Sequence, residues 1–418
     1  MVVCGFHTAN WKCLTSWDNS TTPHSAKITD AVRLCYRANS ELHALAEHIL
    51  QRASLKDQYS QYYYLSMMGG VFLIADVTRR IASDPKDLVY GLYSMLTDMG
   101  YNIEEPDYDK SIAEIYEDFS FGVIERTRSL YTLWAFPNSI SLPYLPSWVL
   151  NLQKRSTQPN ARDLSIASYD ENRLTYFRED FKLQRRQRSQ LFLEGLISGS
   201  LEMLGTEIPD LHLEKLVGDP EGSIRMTMVN WLSKTLELSD HITKCPNGQS
   251  GSRALLDTLC TMADGSSPPQ FAVESVKSKV QSVLGYRAIS CDPDMRKRFA
   301  TACNRPSLGQ LSSQDMFDHL CKSYDPQVPP LMSLLFDLFW KSKGTTPVLL
   351  SNGCIGLGYG KMQVGDKVVL LYGSMSPMIV RPSGSHYQLI GPADIGGIAK
   401  QQWPLREDQE GIEMITLV

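Results

Sequence analysis

Apolar residues recur at three- and four-residue intervals through much of the first 345 positions, then give way to short apolar runs separated by turns. Between 25 and 56, Val32, Cys35 and Tyr36 lead to Leu42, Leu45, Ala46 and Ile49, a spacing that predicts a helix. A second helix is predicted over 86–98, where Val89, Leu92 and Leu96 share one face. Its start has suitable chemistry: Asp84 can cap exposed N–H groups, Pro85 fits the first helical position, and Asp87 puts negative charge in the first turn. On this reading, loss of the Asp87 carboxylate costs about 1 kcal/mol of capping. From 110 to 128, Ile112, Ile115, Tyr116, Phe119 and Val123 form an apolar face, with Glu117, Asp118 and Glu125 turned away from it. Ser111 and Glu114 have capping-box spacing, with Asp109 as a competing cap. Pro137, Pro143 and Pro146 end this region and lead to Trp148.

Residues 151–162 are polar and aperiodic, which predicts a linker or surface loop. Residues 191–204 have strand character in part. Amphipathic helices are predicted over 224–238 and 252–263, on either side of the turn-rich stretch 245–251. Helical material follows at 271–284, and a buried helix at 329–342. After 347 the pattern is that of strands: 348–350, 368–371, 378–380 and 387–390, with turns at Gly365-Asp366, Gly373-Ser374 and Ser383-Gly384. The expected class is α+β, a mainly α-helical body with a small C-terminal antiparallel β-sheet or barrel module. The expected organisation is a helical region at 1–150, a polar and charged linker at 151–190, a mainly helical domain at 191–345, a β-rich module at 346–400 and a tail at 401–418.

Several of these stretches form a recognisable order. The run from Arg80 through Ser83-Asp84-Pro85-Lys86-Asp87 to Leu88-Val89-Tyr90-Gly91-Leu92 resembles the R-x-x-x-D-P-R-D-x-[VI]-Y-[AG]-L segment that follows the heterokaryon-incompatibility (HET) domain of fungal self/non-self recognition proteins, with Lys86 where Arg is usual. Pro106-Asp107-Tyr108-Asp109-Lys110-Ser111, running into Glu114-Ile115-Tyr116-Glu117-Asp118-Phe119, is similar to the helix that comes next in that family, and Leu145-Pro146-Ser147-Trp148-Val149 to its L-P-S-W-V element. Leu193-Glu194-Gly195 resembles a looser strand. Gly353, Gly356 and Gly358, followed by Gly365-Asp366 and Val368, resemble the family's C-terminal G-Y-x-G-L-G…G-D-x-V module. Pro392 and Ile395-Gly396 depart from it, standing where the family has an aromatic-valine-histidine run. Val2-Val3-Cys4-Gly5 with Trp11 and Leu14 looks like an element that lies well inside such proteins, and the motifs of the HET domain itself do not occur in these residues. The resemblance therefore implies the region C-terminal to the HET domain.

With 43% hydrophobic and 21% charged residues, the chain reads as an ordinary soluble protein with ample core, and a formal charge of −5 argues against a general nucleic-acid binder. Nine cysteines without regular spacing read as reduced thiols of a cytoplasmic protein. The longest apolar candidate for a membrane span, 62–77, is about 16 residues against the roughly 20 required, and Gly69-Gly70 and Asp76 interrupt it, so no membrane insertion is expected.

Candidate chemistry reads as structure at each place. The Gly356-x-Gly358-x-Gly360 spacing invites a phosphate loop, but a strand pattern follows where a helix is needed, so a β-turn cluster is expected. His43 and His48 are five apart rather than four, and the cysteines form no C-x-x-C, so no metal site is assigned. Glu104, Glu105, Asp107 and Asp109 read as a solvated loop that tucks Tyr108 inward. Arg178, Lys182, Arg185, Arg186 and Arg188, with Phe177 and Phe181 between them, make the best nucleic-acid candidate, diluted by Glu179 and Asp180.

No catalytic, cofactor-binding or metal residues are assigned. The residues singled out are shape-setting ones: Asp84, Pro85, Asp87, Tyr90, Pro106, Asp107, Tyr108, Trp148, Gly353, Gly356, Gly358, Gly365 and Asp366. The functional expectation, from the resemblance, is a non-catalytic protein of vegetative (heterokaryon) incompatibility, acting in non-self recognition and programmed cell death through protein contact. The partner class is protein, with another incompatibility protein as a candidate. Two alternatives remain: an accessory protein or cryptic enzyme of fungal secondary metabolism, and a nucleic-acid-associated regulator using the 178–188 cluster.

Overall fold

A computed structural model describes residues 2–4, 7–9, 82–98, 100–130, 132–133, 144–153, 189–209, 223–264, 277, 280, 339, 344–374, 376–398 and 410–418. The basic cluster at 178–188, His43 and His48, and the helix predicted at 25–56 lie outside these residues. So do residues 154–162 and most of the helices predicted at 271–284 and 329–342.

Strands β1 (Val2–Cys4) and β2 (His7–Ala9) form a small antiparallel hairpin. Three helices follow: α1 (Asp87–Tyr90), α2 (Tyr93–Asp98) and α3 (Ile112–Thr127). Then come β3 (Leu191–Leu204), α4 (Ser223–Ser239) and α5 (Gly251–Asp264). The chain closes with β4 (Thr345–Leu350), β5 (Ile355–Tyr359), β6 (Lys367–Leu371), β7 (Met378–Ser383), β8 (His386–Gly396) and β9 (Glu413–Leu417).

The long strands β3 and β8 hold a seven-stranded sheet together. β3 pairs with β9 over Leu191–Gly195, with β6 over Gly195–Ser200 and with β4 over Leu201–Leu204. From β6 the ladder runs through β7 to β8, and from β4 through β5 to β8. The two routes meet, so β3-β6-β7-β8-β5-β4 is a closed ring. β9 lies antiparallel to β3 and touches β8 through the parallel pair Tyr387–Leu417. Closure removes the open edges that a small sheet would otherwise expose.

The mainly helical body is therefore corrected: among the described residues the architecture is a β-barrel to which helices are added. Strand β3 rises out of the stretch expected to be mainly helical. Its alternation is masked by Gly195 and Gly199 and by register shifts at 197–199 and 201–203. The stretch taken as a tail supplies β9, whose Ile415 and Leu417 are buried.

Three cores result. Inside the ring, Leu201, Val348, Leu350, Cys354, Val368, Ile379 and Ala393 pack with Met362 and Ile390. β5 offers glycine to this interior: a Cβ at Gly358 would stand 2.6 Å from Ile379 Cδ1, and one at Gly356 would stand 2.0 Å from the Asp394 carbonyl oxygen. Its other face, Ile355 and Leu357, packs on α4 and α5 through Leu232, Leu255 and Leu259. On the far side, α1 to α3 share a core with Leu193, Leu371, Met378, Val380 and Leu417.

Candidate functional site

The motif residues gather in two clasps and one turn: the first clasp ties the segment after Pro106 to α1, the second ties the helical part to the barrel, and the turn lies within the barrel. In the first clasp, Asp84 Oδ1 accepts the Lys86 N–H at 2.9 Å and its carbonyl accepts the Asp87 N–H, so Asp84 shapes the turn into α1. Asp87 is not the cap. Its carboxylate accepts the Tyr108 hydroxyl at 2.6 Å; this bond first, then partial desolvation and the charges of Asp87 and Asp84, push the Tyr108 pKa up to about 12. Tyr90 donates from its hydroxyl to the Asp107 carbonyl at 2.8 Å, and its ring meets Tyr108 edge-on at 5.2 Å. Lys86 Nζ donates to the Tyr108 carbonyl at 2.6 Å. The segment after Pro106 is thus laid across α1. Tyr108 is not tucked inward, as expected, but 56% exposed, because its hydroxyl seeks the surface carboxylate. Below it, Tyr116 Oη donates to the Pro85 carbonyl at 3.0 Å, and burial raises the pKa of this phenol.

The single helix expected over 86–98 is broken at Gly91-Leu92. Helix α3 starts as its sequence predicts: Ser111 Oγ accepts the Glu114 N–H and Glu114 accepts the Ser111 N–H at 2.9 Å, a complete capping box. Lys110 bonds Glu104 and lies 3.4 Å from Asp118, and these carboxylates raise its pKa.

The second clasp centres on the L-P-S-W-V stretch. The Ser147 N–H donates to the Val418 carbonyl at 3.0 Å, as does its hydroxyl, and Ser147 Oγ accepts the Leu389 N–H at 2.7 Å. One serine therefore holds the end of β9 against β8. Trp148, fully buried, donates from Nε1 to the Ser189 carbonyl at 3.3 Å. The Ser189 N–H goes to Glu117 Oε1 at 2.7 Å. Ser189 has φ of 73°, a conformation costly for a non-glycine residue, and these two bonds fix it immediately before β3. Glu117, read as turned away, is buried for this purpose.

At the barrel, Gly365 has φ of 94° and precedes Asp366, which is 2% exposed. Asp366 takes both ends of the Arg381 guanidinium, Nε at 2.9 Å and Nη2 at 3.0 Å, and accepts the Gln363 N–H at 2.8 Å. Its carboxylate raises the Arg381 pKa. Gly353 (φ 80°) makes the β4–β5 turn beside the Lys244 carbonyl. Gly356 and Gly358 lie mid-strand, paired between β4 and β8, with no helix after them. The spacing that invites a phosphate loop thus serves close strand packing.

Among the described residues, no group of three or more His, Cys, Asp or Glu side chains could hold a metal ion, and no helix is long and apolar enough to cross a membrane. Burial, and then the neighbouring Cys245, pushes the Cys354 thiol up to about 12, far from a thiolate nucleophile at neutral pH. Sequence reasoning assigned no role to Glu117, Ser147 and Ser189 in the second clasp or to Arg381 at the barrel turn. Ser147, inside L-P-S-W-V, Glu117, inside the helix motif, and Arg381, inside the stretch from Pro377 to Pro382 that extends the resemblance, carried some signal; Ser189 carried none.

Residues 332–415 match the Het-6 beta-barrel domain. Over 60 residues the chain is 42% identical to heterokaryon incompatibility protein 6, OR allele, of Neurospora crassa. That stretch is 13% of this chain and 9% of that protein, so the match spans less than a tenth of its relative. No solved structure matches. Strand β3 lies outside the matched interval yet completes the ring. The likeness to fungal heterokaryon incompatibility proteins thus rests on the barrel, in the C-terminal part of the chain.

Proposed function

We propose that this chain acts in heterokaryon incompatibility as a non-catalytic recognition piece, binding another protein and taking part in a non-self death response. The observation that carries this reading is the use made of the motif residues. Asp84, Asp87, Tyr90, Ser147 and Asp366 give their polar groups to backbone or to the side chains of Tyr108 and Arg381, an arrangement that sets shape rather than faces a substrate. Large side chains left on the surface, Tyr108, Tyr144, Val364 and Met414, supply material for protein contact. The relative's printed name concerns incompatibility, and this chain's share of that role is what the proposal adds. Strains isogenic except for this gene should be forced into heterokaryons and scored for growth arrest and death at fusion. Inhibited growth that depends on the gene is expected. Normal growth of every such pairing would remove the reading.

A further inference from the structure

A β-bulge interrupts β3 where it runs beside β6: the register shifts between Ile197 and Gly199, so Ser198 has no β6 partner. Bulges re-aim side chains and recur next to functional sites. Asn352 secures this one, donating from Nδ2 to the Ser198 carbonyl at 2.7 Å while its Oδ1 accepts the Cys354 N–H at 3.0 Å. Just beyond the bulge, Lys367 Nζ donates to Ser200 Oγ at 2.6 Å. The Ser200 N–H donates to Ser351 Oγ at 3.2 Å, and the Ser351 N–H returns to the Ser200 carbonyl at 2.9 Å.

A count of donors shows what this cluster lacks. An ammonium has three N–H groups, and Lys367 uses one; the hydroxyls of Ser200 and Ser351 serve here as acceptors and keep their protons to give. The adjacent carboxylate, Asp366, is committed to Arg381. Glu202, two residues along β3, is exposed, and among the described residues Lys367 has no carboxylate partner. Cation and hydroxyl donors therefore stand together, Lys367 and Ser200 half-buried and Ser351 exposed, without an anionic acceptor. We propose that Lys367, Ser200 and Ser351 form a binding site for a tetrahedral oxyanion of the phosphate class, either free phosphate or a phosphomonoester. Such an anion offers several acceptor oxygens to one ammonium and two hydroxyls, where charge-assisted bonds are strongest.

The test is calorimetric titration of the full chain at low salt with inorganic phosphate, phenyl phosphate and acetate. Saturable binding of a phosphate ligand is expected, weakened roughly tenfold or more in Lys367→Gln at an unchanged melting midpoint. Tighter binding of phenyl phosphate assigns a phosphomonoester, and equal or weaker binding assigns free phosphate. Should Lys367→Gln lower the melting midpoint, Ser351→Ala, on the exposed β4–β5 turn, decides by the same loss. Absence of saturable binding, wild-type affinity in the deciding variant, or equal binding of acetate overturns the site.

Discussion

Asp87 and Tyr108, twenty-one positions apart, are joined by one hydrogen bond that neither residue's local sequence announces. The aspartate holds the phenol proton to about pH 12, against 10 for an unperturbed tyrosine. The folded value lies above the unfolded one, so this bond's contribution is complete below pH 10 and is lost as the pH rises through about 12. A difference phenolate titration between wild type and Tyr108→Phe should centre near 12, and should return toward 10 when Asp87 is replaced by Ala. A difference centred near 10 in the wild type would refute the bond. Because the pair is exposed, Asp87→Ala costs no more than about 1 kcal/mol, through this bond and not through capping. Asp366 is a different case, since it is buried. Asp366→Asn leaves the Arg381 guanidinium without its charge partner, and part of Arg381 reaches water, so a loss of about 2–3 kcal/mol is expected in urea unfolding. A change below about 0.5 kcal/mol would mean that the ion pair is dispensable. The G-D signature was legible in the sequence as a turn; its pairing with Arg381, fifteen residues on, was not, because nothing local links a strand arginine to that aspartate.

Among elements, helix α3 was the most legible. Its start rests on Ser111 and Glu114, which act within one turn, and Ser111→Ala should lower stability by about 1 kcal/mol. The glycines of the barrel separate two causes that sequence alone merges. Gly356→Ala places a methyl group against the Asp394 carbonyl, and ring closure leaves the two strands nowhere to move. Gly365→Ala meets no atom within 4 Å but must adopt φ of 94°. The first should cost more than the usual overpacking range of about 1–3 kcal/mol, and the second about 1–2 kcal/mol from backbone strain alone. Thermal melts of the two variants check the order, and a reversed order would contradict the placement of β5. Strand β3 was legible as a strand in part, but its pairings were not. Its partners β4, β6 and β9 lie far along the chain, and its bulges break the period-two pattern by which a strand is recognised.

At the scale of the whole molecule, α1 to α3 and the barrel share one core. Val89, Phe119 and Trp148 are buried in the same cluster as Leu193, Met378 and Leu417. A count of helical periods could not foresee this, since it weighs elements one by one and is blind to closure of a ring. The motifs, by contrast, place residues that join separate segments: Tyr116 to Pro85 among the helices, and Glu117 to Ser189 and Ser147 to Val418 and Leu389 across to the barrel. The ring is therefore closed by a strand from outside the C-terminal segment. The segment matching the family, residues 332–415, lacks β3 and the Ser147 clasp. The most direct measurement is the amide NMR spectrum of residues 332–418 expressed alone, compared with that of the full chain. A narrow, poorly dispersed spectrum is expected for the fragment, because β6, β4 and β9 have each lost their β3 ladder. A well-dispersed spectrum whose strand resonances overlay those of the full chain would contradict it.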